Sequence, residues 1–90
     1  MEYIITYTIP DPMRRWRLIK VLTSFHATVD WDAGVAQCRL DTQQLKQLRS
    51  ALEFMVEPDQ DAIFIQSSDT RRAPILIGAA SLSDLNKKRL

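Results

Sequence analysis

Residues 2–25 read EYIITYTIPDPMRRWRLIKVLTSF, and the fold turns on the point where the hydrophobic period of this stretch changes. Through Thr8 the pattern alternates: Tyr3, Ile5 and Tyr7 share one face, Ile4, Thr6 and Thr8 the other, with β-branched and aromatic types throughout. Such a segment is predicted to be a central strand covered on both sides. Ile9-Pro10 breaks it, Asp11 is placed to cap a helix, and Pro12 falls at the first helical position, where its missing N–H costs nothing. Beyond it Leu18, Val21, Leu22 and Phe25 recur at i, i+3, i+4 and i+7, one apolar stripe on a helix over residues 12–25.

Downstream, ATVDWDAGVAQCRL (residues 27–40) offers Asp32-Ala33-Gly34 as a tight turn between a strand ending at Trp31 and another over residues 35–40. A single bulged strand is the competing reading. Asp41 with Gln44 three residues on has the form of a capping box, Leu45, Leu48, Leu52 and Met55 mark the buried side of a second helix, and Pro58 forbids its continuation. Lys46, Arg49 and Glu53 should face water. A fourth strand is expected at AIFIQ (62–66), then the polar loop SSDTRR, then a fifth strand at PILIG (74–78). The order is therefore strand, helix, strand, strand, helix, strand, plus one extra C-terminal strand. That is an α+β, ferredoxin-like βαββαβ arrangement, an antiparallel sheet with both helices on one face. Residues 1–78 form the domain and 79–90 a tail with too few apolar residues to hold it in place.

Two helices cover one face of a sheet, yet the first strand is apolar on both. Ninety residues is also near the size at which one core is only marginally sufficient. A homodimer joined through the uncovered face answers both points, and the surplus strand is placed to pair with an edge of the neighbour's sheet. The chain is 46% hydrophobic and 26% charged with two glycines, an ordinary globular composition. No apolar run is long enough to span a bilayer, and MEYIIT lacks the features of a secretory signal, so the expected location is cytoplasmic, away from membranes. A lone Cys38 and a lone His26 supply neither a disulfide nor a zinc set, and both are read as structural.

The net charge is only +1, but residues 11–20 hold four cations, Arg14, Arg15, Arg17 and Lys20, against Asp11. A helix N-terminus is already electropositive, so each arginine there costs about 0.3–1 kcal/mol if merely solvated. Local violations of this kind cluster at functional sites. An anion at this end would meet free N–H groups, the helix dipole and guanidinium forks together. The alternative is that the arginines are solvated or paired with Asp11 and other carboxylates. On the helical wheel Met13, Trp16, Arg17 and Lys20 lie opposite the apolar stripe, displaying an indole beside cations, either for recognition or for packing on a partner subunit. Arg71 and Arg72 form a second pair in the loop before the last strand.

YIITYTIPDPMRRWRLIKVL, CRL, LKQLRSALE, PDQDAIFIQ and ILIG, in that order and spacing, resemble the CRISPR-associated Cas-two family over about residues 1–78. The resemblance implies a ferredoxin-like homodimer that acts with the CRISPR-associated integrase (Cas-one) in spacer acquisition, bridging its subunits and holding double-stranded DNA. It also implies duplex backbone contact at Arg14 and Arg15; Arg17, Arg71 and Arg72 join them as candidate nucleic-acid contacts on their charge and placement alone. Many members of the family are described as Mg²⁺-dependent endonucleases on RNA or DNA, with YDIP ending the first strand. This chain reads YTIP: Thr8 replaces the aspartate, Mg²⁺ prefers at least one or two carboxylates, and Asp11 as a helix cap points away. The expectation is thus a DNA-binding scaffold with no catalytic residue and no cofactor, Mg²⁺ being required only if the nuclease alternative holds. Residues 30–36 also depart from the family run, carrying Asp30 and Asp32. A third reading is a ferredoxin-like interaction or ligand-sensing module without nucleic acid.

Overall fold

The computed structural model describes residues 1–78. The expected tail, residues 79–90 with Lys87, Lys88 and Arg89, lies outside the described residues. Strand β1 (Glu2–Thr8) leads into helix α1 (Pro12–Ser24), then β2 (Thr28–Asp30), β3 (Val35–Arg39), helix α2 (Thr42–Met55), β4 (Ala62–Ser67) and β5 (Ile75–Ile77). The strands make one antiparallel sheet in the order β2-β3-β1-β4-β5, so β1 is central, as its pattern predicts. This is the ferredoxin-like order with one strand added beyond β4.

Local chemistry sets the boundaries. The Asp11 carboxylate accepts the Arg14 backbone N–H at 2.8 Å, which caps α1, and Pro12 occupies its first turn. The helix ends in a left-handed residue: His26 has φ 63°, its N–H reaches the Thr23 carbonyl, and the Ala27 N–H reaches that of Leu22. This Schellman closure usually employs glycine, so His26 takes a structural role at some conformational cost. In α2 the capping box forms in both directions, Gln44 N–H to Asp41 at 2.7 Å and Asp41 N–H to Gln44 at 2.9 Å. Between β2 and β3 the chain reverses over residues 31–34, giving two strands rather than one bulged strand. There Asp30 accepts the N–H groups of Asp32 and Ala33, and Gly34 adopts φ 69°. Trp31, expected to end β2, is instead the first residue of that turn.

One face of the sheet is buried. Tyr3, Ile5, Tyr7, Ala36, Cys38, Ile63 and Ile65 pack with Leu18 and Leu22 of α1 and Leu48 and Leu52 of α2 in one cluster. Each large side chain removed from water there contributes about 1.5–3 kcal/mol. Burial pushes the Cys38 thiol up, which keeps it protonated and unreactive. The opposite face has no cover from the helices: Ile4 is 44% exposed and Thr6 and Thr8 face outward. Within a single chain β1 is shielded on one side only, the other being the face expected to meet a second copy.

The extra strand also departs from expectation. Rather than reaching a neighbour's sheet, β5 pairs with β4 of its own chain, in register Ile63 with Ile77 and Ile65 with Ile75. The loop 68–74 allows the direct antiparallel return, and Ile77 completes the core. Gly78, at φ 88°, lies so close to the Asp61 and Ala62 backbone that a Cβ would have no room. Both sheet margins, β2 and β5, are three residues long.

Two substitutions test these junctions in opposite directions. Gly78→Ala combines strain with a backbone clash and should cost about 2 kcal/mol, roughly a 10 °C fall in thermal midpoint. His26→Gly relieves the left-handed position and should add roughly 0.5–1 kcal/mol. Calorimetric melting of the two variants checks both signs.

Candidate nucleic-acid interface

The three arginines at the start of α1 leave the helix in different directions, because successive residues turn by about 100°. Arg14 points back toward the α2–β4 loop. Its Nε donates to Asp61 Oδ2 at 2.8 Å and its Nη2 to Asp61 Oδ1 at 3.1 Å, a two-pronged ion pair, while Nη2 also reaches Gln60 Oε1 at 3.1 Å. Asp61 is wholly buried, and its Oδ2 accepts the Glu57 backbone N–H at 2.8 Å as well. The hydrogen bonds to Asp61 are the largest cause of an Arg14 pKa raised above the usual guanidinium range. Arg14 therefore joins α1 to the 57–61 loop, so a phosphate at Arg14 would compete with this ion pair. Asp61 went unremarked in the sequence, where the only hint is an acid directly preceding an apolar strand.

Arg15 and Arg17 are exposed and have no ion pair among the described residues. Arg15 stands beside Tyr7, at the end of β1. Burial raises the Tyr7 pKa, Arg15 opposes the rise, and Asp30 adds to it. Arg71 is almost fully exposed and forks onto Asp69 at 3.1 and 3.3 Å, holding that carboxyl below its ordinary range. Arg72 is exposed. Register separates the two groups of arginines: Thr8 lies opposite Ala62, and Tyr3 opposite Ser67, after which the 68–74 loop begins. Within one chain the Arg71-Arg72 loop thus lies at the far end of β1 from Arg15 and Arg17, roughly 17 Å of strand away.

Trp16 meets Trp31 at 5.7 Å between ring centroids, tilted by 40°, and the Lys20 ammonium stands 5.6 Å from the Trp16 ring. The sequence displays Trp16 opposite the apolar stripe; its approach to Trp31 depends on the β2–β3 turn and is not encoded locally.

At the end of β1 Thr8 offers a neutral hydroxyl, Asp11 caps α1 and Asp61 holds Arg14, while Asp32, in the same depression as Thr8, has no side-chain partner among the described residues; Mg²⁺ favours carboxylate donors. Among the described residues no group of three His, Cys, Asp or Glu side chains is placed to share a cation. No helix among them is long and apolar enough to cross a membrane.

No protein-family model matches the chain. It is 35% identical over 63 residues to a protein of Thermus thermophilus named CRISPR-associated endonuclease Cas2 2, covering 70% of this chain and 68% of that one. It is also similar to the crystal structure of a hypothetical protein from Thermus thermophilus, with a TM-score of 0.66 and 34% identity, over 71% of this chain and 76% of the other.

The Asp61 anchor has a direct test. Asp61→Ala removes three hydrogen bonds to a buried carboxylate and should cost about 3 kcal/mol, measurable by urea unfolding. An unchanged midpoint would show that the α2–β4 loop is held by other contacts.

Proposed function

The chain belongs to the CRISPR-associated Cas2 family, and from that premise we propose that it is a homodimeric scaffold of spacer acquisition that holds double-stranded DNA and bridges subunits of the integrase (Cas-one). The observation that carries this reading is the exposure of Arg15 and Arg17 at an electropositive helix end, with no carboxylate on either among the described residues. Their guanidinium groups suit phosphate oxygens, and such contacts position a duplex without reading its bases. Arg71 and Arg72 form a second foothold, since an exposed pair such as Arg71 with Asp69 contributes little and exchanges readily for a phosphate. The uncovered sheet face around Ile4, Thr6 and Phe64 is the natural contact for a second copy. Duplex binding of this kind needs no metal.

A Mg²⁺-dependent endonuclease is the second reading, favoured by the name of the Thermus relative. Thr8 in place of an aspartate weighs against it on chemistry: Asp11 and Asp61 are committed within the fold, which leaves Asp32 as the one carboxylate lining that depression. Incubation of the protein with RNA or DNA and Mg²⁺ separates the two: cutting that disappears in Asp11→Ala or Thr8→Ala would establish the nuclease.

Neutralising Arg15 and Arg17 together should weaken duplex binding at least tenfold near 0.1 M salt and flatten the salt dependence by about 0.9 for each phosphate no longer neutralised. Fluorescence anisotropy across a salt series measures both, and undiminished binding would overturn the reading. Sedimentation equilibrium should return twice the 10.4 kDa chain mass.

A further inference from the structure

Trp16 and Trp31 remain 47% and 59% exposed although they touch each other. At a 40° tilt the rings form an open V rather than a closed stack, and the cleft they border, about 320 Å³, is also lined by Tyr7, Pro12, Arg15 and Ile19. That volume lies at the small end of ligand sites and suits one planar ring system. The cleft is held firmly. Asp30 braces the turn that carries Trp31, and the Tyr7 N–H donates to the Gly34 carbonyl at 3.1 Å, tying that turn to β1. Charge is distributed unevenly around it. Arg15 forms part of the wall, Lys20 stands over Trp16 and Arg17 is exposed on the same helix, whereas Asp32 lies on the β2–β3 side of the adjoining depression.

We propose that this cleft stacks an unpaired base of a single-stranded nucleic acid, its phosphates running along the α1 side. An aromatic surface flanked by cations on one side is the arrangement that holds bases without regard to sequence. An apolar peptide would use the indoles and gain nothing from the three cations. A base inside a duplex is already stacked on both faces and could not enter. The inference rests on the nucleic-acid reading above in using the same arginines, but it adds a different substrate form.

These are the chain's two tryptophans, so intrinsic emission reports on this site alone. The full chain is titrated with a short oligothymidylate and, separately, with a blunt duplex of equal length. The expected result is saturable quenching by the single strand, with Trp31→Ala lowering single-strand affinity about tenfold, Trp31→Phe restoring most of it, and duplex affinity unchanged. No quenching by the single strand, or equal weakening of both ligands in Trp31→Ala, would overturn the proposal. So would a change in sedimenting mass in Trp31→Ala, which would assign the indoles to a subunit contact. Intact duplex binding without a single-strand response removes this inference only; a single-strand response without duplex binding supports it and removes the scaffold reading. Trp31 lies exposed in a turn, and an unaltered melting curve for its variants confirms that any loss is one of binding.

Discussion

A wholly buried carboxylate, Asp61, holds the molecule's polar end together. It accepts from two nitrogens of Arg14 and from the Glu57 backbone, joining the first turn of α1 to the loop that leads from α2 into β4. A carboxylate without water is tolerable only when each oxygen is satisfied, and here each is. The consequence is positional: once Arg14 is directed inward, the helical step leaves Arg15 beside the end of β1 and Arg17 on the outer surface of α1. The outward charge of this region follows from the inward one.

The fold was legible wherever local chemistry decides it. Asp11 before Pro12, the reciprocal Asp41 and Gln44, and Gly34 in a turn between alternating segments each mark a boundary within a few residues of sequence, and all three are where they should be. Partners distant in the chain were not legible. Arg14 and Asp61 are 47 positions apart, and nothing in RRWR says which arginine will turn toward the protein. The meeting of Trp31 with Trp16 and the separation of Arg71 from Arg15 are likewise set by strand register, a property of the assembled sheet.

The family resemblance and the physical reading agree on the ferredoxin-like fold and diverge in detail at the charged end. Family pattern pointed to Arg14 and Arg15 as a pair; geometry divides them, one bracing the structure and the other facing outward. Thr8 sits at the end of β1, where the resemblance places an aspartate; Asp11 and Asp61 have hydrogen-bond work within the fold, and Asp32 borders the same depression. Arg15, Arg17 and the two indoles stay exposed at this end of the sheet.

The brevity of the two outermost strands has a consequence for assembly. Among the described residues each margin offers only three residues of backbone, a short template for the lateral addition of another sheet. Edge-to-edge pairing with a further sheet is thereby disfavoured on both sides.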